Sequence, residues 1–250
     1  MSRTKLHRVL NELLQPQVIP DGCPNGLQIE GKDTIYKIVT GVTASQALID
    51  RAIELNADAL FVHHGYFWKG EDACLTGMKK QRIASLLKHD INLFAYHLPL
   101  DVHPSLGNNA QLAKLLDIQD IENLESGKLS IALKGRFSSA LTPQALAQRL
   151  QDVLGKSPLL EQVPKPLIST VAWCTGGGQK YIDLAASQGI DAFITGEISE
   201  QTIHSAREMN IHFYAAGHHA TERYGAKAVG EYLAEQYGLD VKFVDIANPA

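Results

Sequence analysis

The chain has 250 residues, 45% of them apolar, enough to bury a substantial core, and two lobes are expected. A formal net charge of −4 and a pI near 6.2 give no basic stripe for a nucleic-acid backbone, and no apolar run is long enough to span a membrane. Cys23, Cys74 and Cys174 are odd in number and outside any CxxC pair, which argues against a disulfide framework and a thiolate metal site and fits an unprocessed protein of the reducing cytoplasm.

Residues 4–14 place Leu6, Val9, Leu10, Leu13 and Leu14 on one stripe of an amphipathic helix. A breaker-rich stretch over 20–26 precedes strands predicted over 27–30 and 35–40, and a helix over 45–55 takes Ser45 as its N-cap. The apolar strand over 59–62 runs straight into His63-His64-Gly65. A helix over 79–88 leads to a strand over 91–96 that ends in His97-Leu98-Pro99-Leu100-Asp101. Residues 125–168 read as a small inserted lobe, with a strand over 129–133 and a helix that has Thr142 as N-cap, Pro143 in first position and Gly155 as its stop.

The second half repeats the plan of the first. Residues 39–46 align with 172–179 at an offset of 133, which also pairs Ile49 with Ile182, Asp50 with Asp183, Asp58 with Asp191 and Ala59 with Ala192. Residues 91–95 resemble 211–215, and His97-x-x-x-Asp101 is answered by His218-x-x-x-Glu222. Similarity on this scale marks a duplicated supersecondary unit. The expected fold is therefore α/β, two related αβα-layered units with a small inserted α+β segment, divided at 1–124, 125–168 and 169–250.

The chemistry-bearing residues fall at the carboxyl ends of predicted strands, where open α/β folds bind ligands. His63, His64, Asp101, His218 and Glu222 offer imidazole and carboxylate donors without thiolate, a set suited to Zn, Mn, Fe, Co or Ni. Five or six such ligands exceed one tetrahedral centre and fit two divalent ions per subunit, an arrangement that activates water for hydrolysis. Adjacent histidines on an extended strand point to opposite sides, so His63 and His64 are each expected to serve a different ion, and Glu222, on one face with His218 if a helix begins there, is the natural bridge. Histidines after a strand are also often plain loop residues. Thr175-Gly-Gly-Gly-Gln179 fits either a phosphate cradle or a tight turn, and Tyr66, Phe67 and Trp68 fit either ring stacking or a core. His204 with Glu200 is either support for the site or a solvated pair.

The segments 24–31, 37–50, 62–70, 96–113, 171–179, 191–208 and 212–223 together resemble the NIF-three-like family, in its bacterial branch of GTP cyclohydrolase type 2 homologues. The resemblance covers nearly the whole chain outside 120–168. It implies a pair of α/β layered domains assembled as a toroidal homohexamer with metal sites lining the interior. It places the dinuclear ligands on His63, His64, Asp101, His218 and Glu222, with His97 beside the metals as the candidate catalytic proton carrier. The activity implied is hydrolysis of a small molecule, a nucleotide or another cyclic amide or amidine, and the alternative is a non-catalytic metal-binding hexameric scaffold for a partner protein.

Overall fold

In the computed structural model, which describes residues 1–127 and 129–250, the leucine stripe near the start forms α1 (Arg3–Leu14) and buries Leu6, Val9, Leu10 and Leu14. Then come β1 (Gly26–Ile29), β2 (Lys37–Thr43), α2 (Gln46–Glu54), β3 (Ala59–His64), α3 (Gly77–Lys88), β4 (Asn92–Ala95) and the short α4 (Leu98–Val102). Ser45 caps α2 by accepting from the Leu48 N–H. The chain continues through α5 (Asn108–Leu115), β5 (Ile118–Asn123), β6 (Leu133–Leu141), α6 (Pro143–Leu154), β7 (Leu159–Glu161) and β8 (Ile168–Cys174). α7 (Ile182–Ser187), β9 (Ala192–Thr195), α8 (Glu200–Glu208), β10 (His212–Ala215) and α9 (His218–Thr221) follow, and the last elements are α10 (Arg223–Tyr237) and β11 (Asp240–Phe243). No helix among the described residues is long and apolar enough to cross a membrane.

Two compact units result, Met1–Gly107 with Arg223–Ala247, and Asn108–Glu222 with Asn248–Ala250. The first unit carries a five-stranded sheet of order β1-β4-β3-β2-β11, in which only β1 is antiparallel to its neighbour. Alternate side chains of β3 point to opposite faces: Ala59 and Phe61 pack with Leu6 and Leu10 of α1 and Val229 and Leu233 of α10, whereas Leu60 and Val62 pack with Leu48 of α2 and Leu86 of α3. Burial on both faces is why this strand reads as a continuous apolar run.

The second unit carries a six-stranded sheet of order β5-β6-β8-β9-β10-β7, with β8, β9 and β10 mutually parallel. Ala172, Phe193 and Phe213 cluster with Ile182 and Ala185 of α7 and Ala206 of α8. α6 starts and stops as its sequence demands, with Thr142 accepting from the Ala145 N–H and Gly155 in the left-handed region. These bounds differ from the division at 124 and 168. Residues 125–168 contribute β6 and β7 to the same sheet as β8 and β10, and α10 and β11 complete the first unit. The strand expected over 129–133 is also corrected: pairing with β8 begins at Leu133, and Ser130 and Ile131 instead direct polar groups to Glu125.

The internal repeat extends to register and to buried charge. Val39 pairs with Leu60 and Ala172 with Phe193, while Ala59 pairs with Asn92 and Ala192 with His212, so the sequence offsets of 133 and 120 are carried into the ladders. Asp58 accepts from the N–H groups of Tyr36 and Lys37 at 2.9 and 3.0 Å and pairs with Lys32 at 2.7 Å. Asp191 does the same for Ser169 and Thr170, both at 3.0 Å, with Lys165 at 3.7 Å. Each carboxylate thus pins the start of the neighbouring parallel strand. Burial pushes both carboxyls up, but the lysine and the strand N–H groups outweigh it and hold both below the ordinary aspartate range.

A carboxyl whose pKa is depressed on folding stabilises above its unfolded value and loses that contribution as pH falls through the folded value. Asp58→Ala and Asp191→Ala are each expected to cost about 1–3 kcal/mol in urea unfolding at pH 7, the price of orphaned strand N–H groups. The deficit relative to the unsubstituted chain should shrink as pH is lowered below about 4.

Candidate metal centre

In the first unit the last two residues of β3, flanked by β2 and β4, are His63 and His64. His63 is fully buried with Nδ1 3.1 Å from the Tyr96 carbonyl oxygen. A carbonyl only accepts, so Nδ1 carries the proton and Nε2 turns its lone pair toward Asp101, 3.5 Å from Oδ1. His64 Nδ1 lies 3.0 Å from Thr43 Oγ1, on the other side of the strand. The two rings do not diverge as a pleated strand predicts: their centroids are 4.4 Å apart. Each ring is instead drawn by its own partner, Tyr96 for His63 and Thr43 for His64.

His97 joins this pair from the loop after β4, with ring centroids 5.0 Å from His63 and 5.8 Å from His64. Donor atoms of the three imidazoles all lie within 4.8 Å of one another. Its position is set by the stretch over 20–26: Asn25 Oδ1 accepts from the His97 N–H at 2.7 Å, and Asp21 lies 2.8 Å from His97 Nδ1. Asp101 is buried on α4. Asp21, Cys23 and His97 form a second group with metal-like spacing, but burial, with the Asp21 charge beside it, pushes the Cys23 thiol up to about 12. A thiol so held is a poor ligand. Tyr66 belongs to the core, with its hydroxyl donating to the Ala44 carbonyl, whereas the Trp68 ring stands edge-on to His97 at 4.8 Å.

In the second unit His218 opens α9 and Glu222 follows its end, one residue before the chain returns to the first unit. His218 Nε2 is 3.1 Å from Glu222 Oε2, and its Nδ1 is 2.7 Å from Glu197 Oε1. Glu222 is 2% exposed. The hydrogen bond to Glu222 raises the His218 pKa, burial opposes it, and Glu197 adds to the rise, giving about 9 in the absence of metal. The glycine run serves this carboxylate. A Cβ on Gly176 would sit 2.0 Å from Glu222 Oε1, and the backbone there is left-handed at φ +65°. The N–H groups of Thr175, Gly176 and Gly178 donate to Asn109, Thr221 and Thr195 side chains, so the run is a packed turn and not a phosphate cradle.

Sequence reasoning brought out His63, His64, His97 and Asp101, which the first unit gathers, and His218 with Glu222, which the second unit gathers. It assigned no role to Asp21 or Glu197. The repeat offset of 133 places Glu197 at the counterpart of His64, a signal that marks it. His204 is exposed.

The model of the Duf34/NIF3 (NGG1p interacting factor 3) family matches residues 1–249. A relative from Pasteurella multocida, called GTP cyclohydrolase 1 type 2 homolog, is 61% identical over 251 residues and 100% of both chains. The solved structure of protein ybgI, described as of unknown function, superimposes with a TM-score of 0.96 at 55% identity and 100% of both chains. One from Thermus thermophilus does so at 0.90, with 36% identity over 100% of both chains.

A histidine whose pKa is raised on folding stabilises fully below its unfolded value and loses that contribution as pH rises through the folded value. In chelated protein, therefore, the stabilisation from His218 is complete below about 6.5 and is lost as pH rises through about 9. An NMR titration of chelated Glu222→Gln should bring the His218 midpoint well below that of the unsubstituted chain. An unmoved midpoint would show that the contact with Glu222 does not hold the proton.

Proposed function

This chain belongs to the Duf34/NIF3 family, and on that premise we propose that it is a hydrolase that binds two divalent ions and opens a ring in a nucleotide or another small cyclic amide or amidine. The observation that carries the reading is the way the imidazoles are presented. His63 and His218 have Nδ1 held by a carbonyl and a carboxylate, and His64 has it held by a hydroxyl, which leaves Nε2 of each as the ligand atom. Metal-bound histidines are oriented by such partners. The donors proposed for the ions are His63, His64, Asp101, His218 and Glu222. With nitrogen and oxygen ligands and no thiolate, the set suits Zn, Mn, Fe, Co or Ni. The room made for the Glu222 carboxylate by Gly176 fits the same purpose.

When bound, such a pair of ions activates water and polarises the bond under attack. The protein's own residues supply the rest. His63 and His64 are fixed to the ends of the strands on either side of theirs, so the donors stay aligned without reorganisation. His97 takes up a proton at Nε2 and delivers it to the departing nitrogen. Trp68, against the His97 ring, borders the substrate's place and limits access of bulk water there. The name GTP cyclohydrolase 1 type 2 homolog carried by the relatives supports a purine nucleotide as the first compound to try.

Metal analysis of protein grown in supplemented medium should give two ions per chain, with both lost or halved in His64→Ala and Glu222→Ala. Loaded protein should release a ring-opened product from GTP or from another member of a panel of nucleotides and cyclic amides, and chelation should abolish it. A full metal complement without turnover of any member would reject the hydrolase and leave the metal-binding scaffold.

From the family resemblance we also infer a ring of six chains. Light scattering should report a mass six times that of the 27.3 kDa chain, and a monomer or dimer mass at micromolar concentration would reject the ring.

A further inference from the structure

The stretch Pro20-Asp21-Gly22-Cys23-Pro24-Asn25 is folded around one side chain that belongs to none of the ligands proposed above. The Asp21 carboxylate is 4% exposed and receives four contacts. Oδ1 accepts from the Gly22 N–H at 2.6 Å and lies 2.8 Å from His97 Nδ1; Oδ2 accepts from Asn25 Nδ2 at 3.0 Å and from the Leu98 N–H at 2.9 Å. Asn25 in turn accepts from the His97 N–H, so ring and backbone of this histidine are held from the same loop. Burial pushes the Asp21 carboxyl up, but the His97 and Asn25 hydrogen bonds, the His97 charge and the Leu98 N–H reverse it to about 2. The group is therefore an acceptor at neutral pH, and the proton between it and the imidazole resides on Nδ1.

A histidine with a purely structural task is available for comparison in the same chain. His212 uses both ring nitrogens, with Nδ1 accepting from the Val163 N–H and Nε2 lying 3.0 Å from the Lys165 carbonyl. His97 uses only Nδ1 in this way, and among the described residues no hydrogen bond involves its Nε2. The ring remains 22% exposed, against His63 and His64.

We propose that Asp21 is a positioning residue that locks His97 in the Nδ1–H tautomer, so that Nε2 stands ready beside the histidine pair to accept and return a proton. This rests on the reading of the site as hydrolytic, in which His97 is the proton carrier. In each turnover the proton leaves water for Nε2 and passes from Nε2 to the departing nitrogen, while Nδ1–H stays with Asp21 throughout.

The decisive measurement needs neither metal nor substrate. A long-range proton–nitrogen NMR correlation on metal-free, ¹⁵N-histidine-labelled full-length protein at pH 8 should show His97 protonated on Nδ1 alone. A proton on Nε2, whether in the other tautomer or in the doubly protonated ring, overturns the proposal even if substrate turnover is found. In Asp21→Asn the tautomer should become mixed or reversed. On whichever panel compound is hydrolysed, kcat should then fall about 100-fold or more at nearly constant KM and unchanged metal content. Loss of metal from this variant would place His97 among the ligands and defeat the assignment. If the tautomer is found as stated and no compound is turned over, it is the hydrolase reading that fails.

Discussion

An imidazole ring has two nitrogens and, when neutral, one proton, so whatever accepts from Nδ1 decides what Nε2 can do. The candidate centre depends on that choice being made at several positions by the groups beside each ring. The Tyr96 carbonyl just beyond β4 does so for His63, Asp21 for His97 and Glu197 for His218. Thr43, at the end of β2, holds His64 from the opposite side of the strand. Because these partners sit on strand ends or in loops pinned by several hydrogen bonds, the imidazoles are directed by the sheet and its margins before any ligand arrives. The carboxylates add a cost in the bare protein, since Asp101 and Glu222 are buried charges, and a cation is the counter-charge such a set calls for.

The duplication explains how so short a chain assembles these positions twice. Three parallel strands in each sheet, β2, β3 and β4 in one and β8, β9 and β10 in the other, keep matching registers, an antiparallel strand flanks the third of them, and an aspartate with a lysine pins the start of the first. The units then diverge where chemistry is placed. The strand end that carries His63 and His64 in the first unit carries Gly196 and Glu197 in the second, so one unit provides an imidazole pair and the other an orienting carboxylate. A small residue was needed at position 196, where a Cβ would lie 2.6 Å from the His218 Cα.

Much of this was legible in the order of residues. Apolar runs buried on both faces and the Ser45 and Thr142 caps are local signals, and they became β2, β3, α2 and α6 as expected, while the paired His-x-x-x-acid motifs fall on the short helices α4 and α9 and their caps. The strand over 129–133 failed because Leu133 is the first residue to pair with either neighbour, β5 or β8, and its β8 partner, Trp173, is remote in sequence. The same holds for Asp21, separated from His97 by 76 residues, and for the assignment of α10 and β11 to the first unit. The approach of the adjacent His63 and His64 rings, against the alternation of a pleated strand, was not legible, because it depends on partners at the ends of the two flanking strands, Tyr96 and Thr43.

The discontinuity of the first unit also fixes an order of events during synthesis. β2 has β3 on one side early, but its other neighbour, β11, is the last strand translated, and Val229 and Leu233 of α10 reach the ribosomal exit only after the whole inserted segment. The intervening 108–222 stretch can complete its parallel strands while the earlier-made sheet still shows an open edge and an uncovered apolar face. Nascent chains stalled before the last strand would thus expose a β-edge suited to unwanted pairing, and speed of C-terminal completion becomes part of what keeps the polypeptide from aggregating.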